Sequence, residues 1–226
     1  MHSQTRRGDA ESPPQSALEF LRGSVGAVPA GGGSRRSQFE REVEALRLWS
    51  AEADRCLSSD FCKGLKPVAS GAEHEVFFDE AGQLAVKLTR DGRFGHSLEG
   101  EGLSALPSEY LQRLAYHNEL FGDRISIRGA FSSEGAVQLV SLQPWIKLDA
   151  EHPVPDQDDV DDYFQNIGFI RSVHAIVPVY YHAELDLAVL DAHPQNILRD
   201  ERGCLVPIDV VVGTPGKAVH ALLGTR

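Results

Sequence analysis

Asp191-Ala-His-Pro-Gln-Asn-Ile-Leu198, followed by Pro207-Ile-Asp209-Val-Val211, is the stretch that decides how this chain reads. An Asp and an Asn share one short loop. A second Asp follows in a short apolar strand, after a turn at Asp200-Glu-Arg-Gly203. A hairpin turning at Gly203 returns Asp209 to the side of the Asp191 loop. A carboxylate between Ile208 and Val210 is expected to be buried, which is costly unless a cation or several donors meet it. Carboxylate and amide oxygens are the hard donors that magnesium prefers. Such a set suits phosphoryl transfer, in which positioning and charge neutralisation do most of the work.

Phosphoryl transfer also needs a cation on the phosphates, and Lys87 is the candidate upstream. It sits in the apolar run Leu84-Ala-Val-Lys-Leu88, where a lysine is costly without a partner. An edge lysine reaching out to water is the alternative reading. That run follows Ser70-Gly71-Ala-Glu-His-Glu-Val-Phe-Phe-Asp79 and a turn at Glu80-Ala-Gly-Gln83, which together predict a turn at Gly71 and then a hairpin. From Pro107 to Gly122 the chain reads as a helix carrying Glu109 and Glu119. Ile125–Phe131 and Ala136–Leu142 read as two further strands, the second broken by Gln143-Pro144-Trp145. Beyond an acidic run at 156–162, Val160, Tyr163, Phe164, Ile167, Ile170 and His174 recur at helical spacing. The acids suit the positive end of that helix.

The start of the chain reads differently. Residues 1–35 are rich in Ser, Gly, Pro and Arg, with Gly31-Gly-Gly-Ser34 reading as a flexible linker, so this segment is expected to be a disordered tail. Phe39, Val43, Leu46, Trp49 and Ala53 then predict an amphipathic helix from Ser37 to about Leu57, with Ser37 as its cap. The expected organisation is a tail at 1–35, a helical extension at 36–66, an N-lobe at 67–145 and a minimal C-lobe at 146–226.

The bulk composition narrows the function classes. The chain has 226 residues and a formal net charge of −11. An excess of acid argues against a general nucleic-acid binder, whose partners demand Lys and Arg. It fits a cationic or neutral substrate, or simply a soluble surface. Cys56, Cys62 and Cys204 form no paired spacing, so neither a disulfide framework nor a structural zinc is expected. No leader-like or membrane-spanning apolar run is present, so a cytoplasmic, soluble protein is expected.

Two families share these motifs. Asp191-Ala-His-Pro-Gln-Asn-Ile-Leu198 resembles the catalytic loop of the aminoglycoside phosphotransferase and choline kinase branch of the protein-kinase-like fold. Pro207-Ile-Asp209 resembles the magnesium-binding strand after it. The run at Gly71, then Val86-Lys87-Leu-Thr89, Arg93-Phe-Gly95, Glu109-Tyr-Leu111 and His117-Asn-Glu-Leu-Phe-Gly122 resemble the compact kinase domains of polyvalent proteins. The resemblance implies an α+β, two-lobed protein-kinase-like fold: a small antiparallel N-lobe sheet plus one helix, and an abbreviated, mostly helical C-lobe. It implies that Lys87 contacts the ATP phosphates and is held by Glu109, or else by Glu119. Asp191 would take the acceptor proton, and Asn196 and Asp209 would hold magnesium. Gly71 would cover the phosphates, and Gln143 to Trp145 would meet adenine. Three departures accompany this: a single glycine at the phosphate turn, Glu73 and Glu75 close to it, and Leu190 rather than Arg before Asp191. The function implied is ATP- and magnesium-dependent phosphate transfer to a protein Ser/Thr or small-molecule hydroxyl. A nucleotide-binding pseudokinase that serves as an interaction module is the alternative.

Overall fold

The computed structural model describes residues 12–25, 34–52, 55–58, 60–100, 102–133, 136–175 and 177–224. Two compact units divide the chain. The first comprises Met1–Gly95, Ala105–Ala115 and Arg124–Trp145; the second comprises His96–Ser104, Tyr116–Asp123 and Ile146–Arg226.

In the first unit, α1 (Pro14–Val25) and α2 (Arg35–Ala51) precede β1 (Lys66–Ser70), β2 (His74–Asp79) and β3 (Leu84–Thr89). Helix α3 (Pro107–Phe121) and strands β4 (Ser126–Ser133) and β5 (Ala136–Pro144) follow. Five strands form one antiparallel sheet in the order β1-β2-β3-β5-β4. Side chains alternate across a strand, and β5 shows the consequence. Val137 and Leu139 join the cluster built with Leu18, Leu46, Trp49, Tyr110 and Leu111 from the three helices. Val140 and Leu142 enter a second cluster with Val86 and Leu88. Both faces of β5 are therefore dry, which is why its burial is nearly continuous along its second half.

Several expectations change here. The disordered tail is corrected at Pro14–Val25, which is helical and buries Ala17, Leu18 and Leu21 in the first unit's core. Its residues 1–11 and 26–33 lie outside the described residues. The helix of the 36–66 extension shares that core through Leu46 and Trp49. Its cap is Ser34, whose Oγ accepts from the Ser37 amide, and the helix stops at Ala51. Strand β5 runs through Gln143 and Pro144, with Pro144 opposite Leu84.

The second unit contains α4 (Gln157–Asn166), β6 (Ile170–Arg171), β7 (Tyr180–His182), β8 (Leu187–Leu190), β9 (Ile197–Arg199), β10 (Leu205–Pro207), β11 (Val211–Gly213) and α5 (Lys217–Leu223). The expectation of a mostly helical second half is corrected: β11-β8-β7-β6 form an antiparallel sheet, and β9 pairs with β10. Strands of two to four residues offer too few positions for a two-residue period to show. The acidic run does cap a helix, since Asp156 and Asp159 make a reciprocal capping box at α4. That helix stops well before Ile170. Gly168 takes φ +88°, and a Cβ there would sit 2.6 Å from the His182 ring. Phe164 stacks on Tyr180 at 4.5 Å, and both pack with Val160, Phe169, Ile197 and Val210. Among the described residues, no helix is long and apolar enough to cross a membrane.

Candidate functional site

Strand β8 is buried for three of its four residues and delivers the chain to Asp191, whose side chain is exposed. Asp191 adopts φ +58°, a left-handed conformation that Asp tolerates better than most residues. Pro194–Asn196 then forms one 3₁₀ turn, with proline at its start where no amide is needed. The β9–β10 hairpin brings the chain back. Its turn is held by Asp200, which accepts from the amides of Arg202 and Cys204 and pairs with the Arg202 guanidinium. The Arg202 hydrogen bond, with the Cys204 amide next, holds the Asp200 carboxyl below its ordinary range.

Asn196 joins the three expected residues. Its Nδ2 donates to the carbonyl of Asp191 at 2.9 Å and to that of Asp209 at 3.4 Å. Its own carbonyl accepts from the Ile208 amide at 2.9 Å. Asp209 is not in a strand and not buried, as the apolar flanks suggested. It lies exposed in a bend between β10 and β11, just past the Ile208–Asn196 backbone hydrogen bond. With its amide hydrogens turned to two carbonyls, Asn196 keeps Oδ1 for a cation. That oxygen and the Asp209 carboxylate are a donor set that fits magnesium. His193 adds a feature that the motif did not announce. Its Nε2 lies 3.3 Å from Asp191 Oδ1, and its Nδ1 is buried with no hydrogen-bond partner among the described residues.

In the first unit, Lys87 occupies β3, the middle strand of the sheet, opposite Val76 and Ser141. An edge lysine is therefore ruled out. Lys87 shares its face of β3 with Ala85 and Thr89, opposite the face of Val86 and Leu88. The Gly71 amide donates to the His74 carbonyl at 2.8 Å, and the Gly71 carbonyl accepts from Arg90 Nε at 2.7 Å. The turn thus has a defined shape, but its Gly71 N–H is already engaged. The carboxylates flanking it are both matched by cations. Glu75 pairs with Arg90, while Glu73 pairs with the buried Arg113 guanidinium of α3.

Glu109 stands at the start of α3. Its Oε2 accepts from Arg35 of α2 at 2.7 Å and from the Leu106 amide at 3.0 Å. The buried Glu42 of α2 accepts from the Ser108 amide at 2.8 Å. Two carboxylates thus satisfy amides at the start of α3, where unpaired N–H groups attract negative charge. Glu119 is exposed and falls in the second unit. At the expected adenine position, the Trp145 amide donates to Gln83 O at 2.9 Å and the indole packs 4.4 Å from Phe78. Gln143 is buried in the ladder opposite Ala85.

Residues 38–214 match the family described as the serine/threonine/tyrosine kinase found in polyvalent proteins. The chain belongs to this family. The match runs from α2 to the end of β11 and so includes Lys87, Asp191, Asn196 and Asp209. Helix α1 lies outside it. No curated protein matches the chain. Sequence reasoning missed two polar groupings of this chain: Glu73 with Arg113, and His117 with Asp123. Their partners lie 40 and 6 positions apart. The only local signal was a charged or imidazole side chain on the apolar side of α3.

Proposed function

We propose that this chain transfers the γ-phosphate of ATP, with magnesium, to a hydroxyl group. The observation that carries this is the Asn196 clasp. One amide group positions the backbone of both Asp191 and Asp209 while leaving Oδ1 for the metal. Magnesium would supply neutralisation of phosphate charge, held by Asn196 and Asp209. Lys87 would add positive charge at the phosphates from the centre of its sheet. The Asp191 carboxylate would accept the proton of the attacking hydroxyl. The acceptor oxygen would bond to the γ-phosphorus as the bond to the bridging oxygen breaks and ADP departs. The turn at Gly71 would supply shape over the phosphates. Gln143 and Trp145 would border the adenine through side-chain surface, since the Trp145 amide is already bonded.

The family description favours a protein hydroxyl as acceptor. The likeness of the Asp191 loop to aminoglycoside phosphotransferases and choline kinases favours a small molecule, and protein acceptors are the first to test. Incubation with labelled ATP and magnesium should give phosphate transfer or autophosphorylation. Asp191→Ala should lower it about 10²- to 10⁴-fold, the range for loss of a general base. Asp209→Ala should abolish magnesium-dependent turnover. No transfer to any acceptor by the unmodified chain would overturn the reading. Nucleotide binding without transfer would select the pseudokinase alternative.

A further inference from the structure

His117 stands on α3 and is buried, as is Asp123 just beyond the helix end. Neither has a place in the chemistry above. Yet both ring nitrogens of His117 are engaged. Nδ1 meets Asp123 Oδ2 at 2.7 Å, and Nε2 meets the backbone carbonyl of Val210 at 3.0 Å. Val210 is the residue after Asp209.

The chemistry of the partners fixes the protons. A carbonyl oxygen only accepts, so Nε2 must carry hydrogen. The contact at Nδ1 also needs one proton, whether it rests on the ring or the carboxylate. Asp123 therefore holds the ring plane, as a carboxylate does behind other oriented imidazoles. The ring is held from the side as well, edge-on to Phe121 at 5.2 Å. Phe121 in turn packs on Tyr163 and Phe164. The result is a rigid donor aimed at one backbone atom.

That backbone atom completes a set. The Ile208 amide is held by the Asn196 carbonyl, the Asp209 carbonyl by Asn196 Nδ2, and the Val210 carbonyl by His117. Three consecutive residues are pinned while the side chain between them stays exposed.

We infer that His117, oriented by Asp123, is a positioning residue that holds the Ile208–Val210 backbone so that Asp209 meets the metal. This rests on the phosphotransferase reading for its purpose, but not for its structural content. Outer contacts of this kind commonly govern metal affinity by 10- to 100-fold.

The test uses the full chain with His117→Phe and His117→Gln beside the unmodified protein. Phenylalanine keeps the packing on Phe121 and removes both hydrogen bonds. Glutamine keeps a donor. Amide hydrogen exchange is read at Ile208, Asp209, Val210 and Val211. Binding of Mn²⁺ is read by electron paramagnetic resonance with a non-hydrolysable ATP analogue. His117→Phe should speed exchange at those four amides by about tenfold or more. It should weaken Mn²⁺ binding by roughly tenfold or more, and His117→Gln should restore most of both. A folded His117→Phe with unchanged exchange at these amides overturns the inference, whatever the metal does. Faster exchange in a protein whose unmodified form binds no Mn²⁺ would keep the positioning role and sink the phosphotransferase reading instead. If His117→Phe fails to fold, Asp123→Ala takes its place: it keeps the ring but removes the bond that holds its plane. Faster exchange there supports the inference, and unchanged exchange overturns it.

Discussion

Asn196 is read by sequence as a metal ligand, but its geometry shows a second duty. Replacing it with Asp would supply a good magnesium oxygen while setting a carboxylate against the carbonyls of Asp191 and Asp209. Asn196→Asp should therefore lose transfer activity despite keeping a ligand. It should also cost about 1–2 kcal/mol in urea denaturation. Retained activity would show that ligation alone matters. Glu73 presents the reverse case. Its position near a phosphate turn reads as repulsive, yet its charge is matched by Arg113, which is 6% exposed. His74 reaches Tyr110 Oη at 3.0 Å alongside, and Arg113 lies 5.0 Å over the Tyr110 ring. Glu73→Ala leaves a buried guanidinium without its carboxylate and should cost about 3 kcal/mol by denaturant titration. The residue types at these sites were legible in the sequence. Where each charge goes was not, because the partner of Glu73 is 40 positions away.

At the scale of elements, α4 shows how an acidic run divides its labour. Asp156 and Asp159 cap the helix, and Asp159 also receives Arg199 at 2.5 Å. Asp161 accepts from Tyr180 at 2.6 Å, from Gln157 at 2.9 Å and from Arg171 at 2.5 Å, tying α4 to β6 and β7. Burial opposes ionisation of Asp161, but these three hydrogen bonds outweigh it and hold its carboxyl below the ordinary value of 3.8. Burial, then the bond to Asp161, pushes the Tyr180 phenol upward. A lowered carboxyl pKa means that the folded state binds this proton less readily than the unfolded state. The stabilisation is thus fully present above about pH 4 and fades as pH falls through the folded pKa. Asp161→Asn should flatten the acid limb of the stability profile in that window, while a limb of unchanged steepness would remove Asp161 as a cause. The acids at the helix start followed from dipole reasoning. The tie to β6 and β7 did not, because those strands are too short to carry a period.

Across the whole molecule, each unit has its own apolar core, and the first is larger than its sheet. Helix α1 contributes Ala17, Leu18 and Leu21, and Ser12 bridges Ile127 through paired backbone hydrogen bonds. Leu21 is 1% exposed, so Leu21→Ala should cost about 2–5 kcal/mol, measured by urea unfolding. A change near zero would mean that α1 is dispensable to the unit. The surrounding composition of Ser, Gly and Pro hides this helix, because it averages over both the apolar stripe and its flanks. Within the second unit, the core around Phe164, Tyr180 and Val210 lies directly under the Asp209 bend. Fold and candidate site are therefore coupled through backbone atoms as well as side chains.

What the amino-acid sequence alone determined is local and periodic. The β2–β3 hairpin around Glu80–Gln83, the stripe of α2, the helix carrying Glu109 and the order Lys87, Asp191, Asn196, Asp209 all follow from neighbours within a turn or a strand. The family match at 38–214 spans that order. Tertiary structure alone decided where the polar groups spend their hydrogen bonds. It turned Glu109 into a helix cap, left Asp209 exposed, matched Glu73 with Arg113 and aimed His117 at Val210 across 93 positions. The physical reason is that a buried polar group must find a partner wherever the chain brings one. Short-range sequence pattern specifies which face of an element is apolar. It does not specify which distant donor or acceptor that face will meet.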